Sequence, residues 1–201
     1  MPKKSGVILI SLGAVLILAA LLLFLHNRSE DRRAGQEAES LLEDARSAMA
    51  ADTDPEPQEE LAGEITYDYA GVITIPDLSL ELPVIDQWSY ARLKVAPCRQ
   101  FGSSRTDDLV IAAHNYENHF GRLKELTKGD TVIFTDMEGI VNTYSVEKIE
   151  TLKPDEVDAV QNSGYDLVLY TCTKGGKTRV TVFCNRAAVI APSPIPTQTE
   201  K

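Results

Sequence analysis

Cys172 and Arg179 stand seven residues apart, on either side of the pair Gly175-Gly176. The runs around them, Leu167-Val-Leu-Tyr-Thr-Cys172 and Arg179-Val-Thr-Val-Phe-Cys184, are apolar and β-branched, so the stretch reads as a β-hairpin closed by a two-residue glycine turn. In that register Lys174 faces Lys177, Thr173 faces Thr178 and Cys172 faces Arg179, with opposed Cβ atoms about 4.5–5.5 Å apart. A guanidinium so placed stabilises a thiolate, or the oxyanion formed when that thiolate attacks a carbonyl. The spacing therefore predicts a nucleophile beside an electrophilic helper. A cysteine that only packs, beside an arginine that only faces water, satisfies the same pattern. A proton partner is what separates the two.

Histidine is the side chain best suited to proton transfer near neutral pH, and the chain has His26, His114 and His119. His26 abuts a long apolar segment. His119 follows Glu117-Asn118 and is expected in a loop, exposed to solvent. His114 ends the run Leu109-Val-Ile-Ala-Ala113, where a core strand would hold it at a fixed edge, and is the best candidate. His114 and His119 are five apart and the cysteines have no Cys-x-x-Cys spacing, so the residues give no metal set.

The elements that must hold these side chains are mostly strands. Gly71–Ile75, Leu80–Ile85, Leu109–Ala113, Thr131–Thr135 and Val141–Val146 are β-rich and bounded by Pro, Gly, Asp or Asn, and the hairpin adds two more. At least seven strands with few helices favour an antiparallel barrel or sandwich. A short helix is expected within Phe120–Leu126 and a turn within Pro154–Val160. Walls of a groove beside the site are expected from the segments 87–104 and 151–166.

Residues 6–25 carry no charge and match the helical length that crosses a bilayer. The run ends Leu-Phe-Leu-His-Asn-Arg, without a small-x-small cleavage site, which favours an uncleaved anchor over a signal peptide. Basic residues flank it almost evenly, Lys3 and Lys4 before and Arg28, Arg32 and Arg33 after. The brevity of residues 1–5 favours a cytoplasmic N-terminus, with the domain outside the cell. Residues 26–63 read as an amphipathic helix over Gln36–Ala50 and an acidic linker over Asp52–Glu60; residues 64–191 form the β-domain and 192–201 a disordered tail. The net charge of −10, with no Lys/Arg cluster, argues against a nucleic-acid surface. Three cysteines cannot all pair within the chain, so at least one thiol lacks an intrachain partner; whether Cys98 and Cys184 pair is open.

Several spaced motifs together resemble the sortase family. They are Val110-Ile-Ala-Ala-His114-Asn, Phe120-x-x-Leu-x-x-Leu-x-x-Gly-Asp130, the strand at Tyr144-Ser-Val, Leu169-Tyr-Thr-Cys172-Thr and Arg179, with Gly71–Val84 similar to the family's opening strands. The resemblance implies an eight-stranded β-barrel behind a transmembrane anchor, on the surface of a Gram-positive bacterium. It implies a cysteine transpeptidase that cleaves an LPxTG-like sorting signal through a thioacyl enzyme and passes the acyl group to an amine of a peptidoglycan precursor or a pilin lysine. By it, Cys172 is the nucleophile, His114 the proton donor and acceptor, and Arg179 the partner of substrate backbone or oxyanion. Thr171 would help position substrate, and Val168, Ala113 and Asn115 would border it. No metal or organic cofactor is implied. Val168 stands where the family usually has Thr, and Ala113 where Gly is common. Asn115 resembles class B members, while the short segment 151–166 is closer to pilus-related or sporulation-associated classes, so a class B- or D-like assignment stays open. A cysteine hydrolase, or a sortase-like module that binds peptide without cleaving it, would use the same residues.

Overall fold

The computed structural model describes residues 3–51 and 67–187. The expected acidic linker and C-terminal tail lie outside the described residues. Eight strands close a barrel: β1 (Tyr69–Ile75), β2 (Leu80–Ile85), β3 (Cys98–Phe101), β4 (Leu109–Ala113), β5 (Thr131–Asp136), β6 (Val141–Leu152), β7 (Leu167–Cys172) and β8 (Arg179–Arg186). Their order around it is β1-β2-β3-β4-β7-β8-β6-β5. Two neighbour pairs, β2/β3 and β4/β7, are parallel and the rest antiparallel, so the expected barrel is mixed.

Alternation along the strands sorts the side chains. Leu109, Ile111 and Ala113 of β4, with Leu167 and Leu169 of β7, enter the main core, whereas Val110, Val168 and Phe183 form a separate cluster on the outer face. Every residue of β4 is buried, as befits a strand covered on both faces. Phe120, Leu123 and Leu126, the apolar positions of the spaced motif, also bury themselves in the main core. Only Leu123–Glu125 is helical there, as a 3₁₀ turn.

The hairpin keeps the expected register but closes differently. Cys172 pairs with Arg179 at the end of a ladder that runs back to Leu167 opposite Cys184. Thr173 N–H donates to Thr178 O at 2.9 Å, and the Thr173 hydroxyl receives Thr178 N–H at 3.2 Å. Gly176 N–H then turns back onto Thr173 O at 2.8 Å. The closing pair is thus Thr173/Thr178 around a four-residue loop, and Lys174 and Lys177 do not form a rung. Gly175 and Gly176 adopt φ of 89° and 72°, the left-handed backbone that glycine supplies without strain.

One helix, α1 (Lys3–Ala51), runs through both the apolar segment and the expected amphipathic helix without a break. Its apolar part is exposed and is the one described helix long and apolar enough to cross a membrane, with mean hydropathy 3.1 over its best window. Beyond that part it leans on the barrel. Ala34, Ala38 and Ala45 are buried and Leu41 packs with Ile85, Ala96 and Cys98. These positions recur every three or four residues and so share one helix face, and the small side chains of the three alanines let the backbone come close. Arg46 pairs with Glu81 at 2.5 Å, but both are exposed, so the apolar stripe contributes more than the ion pair.

Candidate active site

The site sits where β4, β7 and β8 end side by side. β4 and β7 run parallel with Ala113 opposite Thr171, so His114 and Cys172 occupy the next position on neighbouring strands. Adjacent strands lie about 4.8 Å apart. Arg179 faces Cys172 from the other side, across the antiparallel β7/β8 ladder. The strand order thus brings position 114 beside the hairpin pair Cys172 and Arg179, which lies far along the chain from it.

Cys172 and Arg179 open into a groove of about 200 Å³ that Ala113 also lines. One wall is Trp88, Tyr90 and Leu93, from the β2–β3 connection that contains the short helix α2 (Tyr90–Leu93). The other is Pro154, Val157 and Val160, from the β6–β7 connection that contains α3 (Asp158–Gln161). Tyr170 also lines the groove and its hydroxyl hydrogen-bonds the Gln100 side chain. Burial pushes the Tyr170 phenol up to about 12, with Arg179 pulling the other way, so it is a neutral donor at physiological pH. The lining is mainly apolar and aromatic, with Gln100, Lys153, Glu156 and Arg179 among its polar side chains besides the Tyr170 hydroxyl and the Cys172 thiol.

Arg179 bends over the hairpin loop. Its Nη1 donates to Gly176 O at 3.0 Å and Thr178 O at 3.1 Å. Among the described residues, Nε and Nη2 have no protein acceptor, so they are available to an oxygen in the groove. No hydrogen bond joins Cys172 to either His114 or Arg179.

The His114 ring is held on two sides. Its face stacks on Tyr116, with centroids 4.2 Å apart and planes 10° apart. Its Nδ1 receives Asn115 N–H at 3.1 Å and lies 3.0 Å from Asn115 Oδ1. The first contact suits an unprotonated Nδ1 and the second a protonated one, so Asn115 offers a partner to either form of the ring. Nε2 makes no protein hydrogen bond among the described residues and is left for a reacting group.

The remaining expected residues fall differently. Thr171 is 2% exposed and points into the barrel, donating its hydroxyl to Ala113 O at 2.9 Å. It ties β7 to β4 directly beneath the site and does not face the groove, because its neighbour Cys172 takes the outward position. Val168 does share that outward face, yet it is buried with Val110 and Phe183 and packs instead of lining the groove. Ala113 lines the groove, and Asn115 turns to His114. His119, expected in solvent, is 0% exposed. Among the described residues neither of its ring nitrogens makes a well-formed hydrogen bond, and burial holds its pKa down at about 4, the opposing pull of the Ala34 carbonyl being too weak to offset it.

The two walls come from the segments 87–104 and 151–166, as expected, but Tyr170, Trp88 and Tyr90 are not among the expected site residues. Tyr170 had a readable signal, since it lies two residues before Cys172 and must share its strand face. Trp88 and Tyr90 had none beyond their place in a connecting segment. The three thiols are free, with Cys98 and Cys184 in different core clusters. Among the described residues, no three His, Cys, Asp or Glu side chains gather as metal ligands.

Residues 73–187 match the family model described as the sortase domain. No curated protein matches. Among solved structures, the fold is similar to sortase C1 from Streptococcus suis, at 22% identity over 63% of this chain and 77% of that one, with a TM-score of 0.53. It is also similar to Clostridium perfringens sortase C solved with a C-terminal cell wall sorting motif, at 20% identity over 76% and 89%, TM-score 0.53. A Clostridium perfringens sortase D5 transpeptidase gives 18% identity over 79% and 99%, TM-score 0.53.

Proposed function

The chain belongs to the sortase family, and from that premise we propose that it is a membrane-anchored cysteine transpeptidase acting on LPxTG-like sorting signals. The observation that carries this reading is the register that sets Cys172 next to His114 on one side and opposite Arg179 on the other, with Cys172 and Arg179 lining one groove.

The Cys172 thiolate attacks the Thr–Gly carbonyl carbon of the bound signal, and the carbonyl π electrons move onto oxygen. The Nε and Nη2 hydrogens of Arg179, without an acceptor among the described residues, stabilise that oxyanion. Collapse re-forms the carbonyl and breaks the C–N bond, while protonated His114 gives the Nε2 proton to the departing glycine amine. A thioester to Cys172 remains. An incoming amine attacks it, neutral His114 takes the surplus proton, and the thiolate leaves. Protons and electrons balance over the cycle, so the protein's own groups suffice.

The exposed apolar part of α1 supports a single-pass anchor; in this reading the barrel lies outside the cell. The donor is then the sorting-signal peptide of a secreted surface protein, and the acceptor an amine of a peptidoglycan precursor or a pilin lysine. The test is a panel of LPxTG-like peptides incubated with the full chain, with and without a glycine peptide or diaminopimelate-like amine, and analysed by mass. An amide product from wild type and none from Cys172→Ala is expected. Equal turnover by the two proteins would refute the proposal, and hydrolysis alone at saturating amine would reassign the enzyme as a hydrolase.

A further inference from the structure

The segment 115–121 leaves β4 and passes directly under α1. Asp31 Oδ1 accepts Glu117 N–H at 2.7 Å and Asn118 N–H at 3.5 Å, and the Asn118 side-chain amide donates back to Asp31 O at 3.2 Å. Gly35 lies against Asn118 so closely that a Cβ there would sit 2.9 Å from its side-chain nitrogen. His119 is sealed beside Ala34, itself buried. Within the segment, Tyr116 O accepts both His119 N–H at 3.0 Å and Gly121 N–H at 2.8 Å, and Gly121 has no room for a Cβ. Tyr116 is therefore fixed in a tight loop. Its ring stands between two histidines, flat on His114 at 4.2 Å and edge-on to His119 at 5.5 Å.

We propose that Tyr116 is a positioning residue for His114, and that the stretch of α1 around Asp31 holds Tyr116 in place, so that the anchor helix sets the orientation of the proton-transfer group. Three of the ring's sides are then accounted for. Tyr116 sets the plane, Asn115 occupies Nδ1, and Nε2 is left pointing at the reacting amine. A ring held in one plane meets the amine without first losing rotational freedom, and the benefit falls on the chemical step, not on peptide binding. Docking also explains why α1 carries alanine where it meets the barrel: larger side chains would lift Asp31 off the loop.

This inference rests on the sortase reading for its kinetic arm only. The full chain is placed in lipid nanodiscs, and kcat and KM for peptide cleavage with an amine acceptor are measured for Tyr116→Ala, Tyr116→Phe and Asp31→Ala. In parallel the Hε1 resonances are recorded; with three histidines in the chain, His114→Gln assigns the one that matters. Since misplacing a reacting group by about 1 Å costs up to about 100-fold, Tyr116→Ala is expected to lower kcat at least about 5-fold with KM within about 2-fold. Tyr116→Phe keeps the stacked ring and is expected to recover most of that loss. The His114 Hε1 signal, shifted by the stacked ring in wild type, should move toward the free-histidine position in Tyr116→Ala, and part of the way in Asp31→Ala. A smaller kcat loss, a loss carried in KM, or failure of Tyr116→Phe to recover would overturn the role of Tyr116. An unmoved resonance in Asp31→Ala would overturn the role of the helix, and that variant, at the helix surface, still decides it if Tyr116→Ala does not fold. Should wild type turn over no peptide, the sortase reading fails, while the resonances still report whether Asp31 and Tyr116 hold the ring.

Discussion

Alkylation of the native protein with iodoacetamide near pH 7.5 should modify Cys172 and spare the other two thiols. Burial pushes the Cys98 thiol up to about 11 and the Cys184 thiol up to about 12, from an ordinary 9.0. Each unit removes a factor of ten in thiolate at a pH well below the pKa, so these two sites hold roughly 100-fold and 1000-fold less nucleophile than an unshifted thiol. Both side chains are also 0% exposed, so reagent reaches them only through local opening, which slows reaction further. Cys172 is half-buried at the groove, beside an arginine. The expected mass spectrum shows one adduct, mapped to Cys172, with the next appearing at least about 100 times more slowly. Denaturation in urea should then expose two further thiols together. Two adducts forming at similar rates on a protein still folded by tryptophan fluorescence, or a first adduct on Cys98 or Cys184, would refute the reasoning.

His119 predicts an acid-sensitive fold. The unfolded chain protonates it near 6.5 while the folded protein resists until about 4, so its contribution is intact above 6.5 and drains away as pH falls toward 4. The full loss is on the order of 3 kcal/mol, and urea midpoints measured from pH 7 to pH 4 should fall less steeply in His119→Leu. The same slope in both proteins would show that His119 is not the cause. One glycine inserted between Gly175 and Gly176 should leave Cys172 opposite Arg179, because the β7/β8 ladder is held by buried side chains and not by the loop. A crosslink between Cys172 and a cysteine replacing Arg179, formed in the parent but lost on insertion, would show that the loop sets the register after all.

Much of the site was legible because it depends on strand periodicity. An apolar run ending in His114 and a hairpin joining Cys172 to Arg179 are local patterns, and the barrel only had to bring their ends together. β3 was not legible: Cys98-Arg-Gln-Phe101 has too little apolar or β-branched character to signal a strand, and its pairing with β2 and β4 is what makes it one. The place of Thr171 followed from alternation once Cys172 was known to face outward, yet a hydroxyl beside a nucleophile reads equally well as a substrate contact. The hairpin loop differed because the Thr173 hydroxyl takes a backbone N–H that the two-residue turn leaves free. His119 defied its loop setting because its burial comes from α1, many residues away, and no local pattern carries that contact.

The unbroken path of α1 has a mechanical meaning. From Leu25, the last residue of the apolar segment, to Asp31, where the helix grips the loop behind His114, the chain climbs only about 9 Å. With the apolar segment in a bilayer, the contacts of Asp31 with Glu117 and Asn118 would hold the barrel close above the lipid headgroups. On the proposed function, reach would then come from the substrates, which would have to bring both the sorting signal and the acceptor amine down to that plane. The search for partners would become a lateral one along the membrane surface, in two dimensions instead of three.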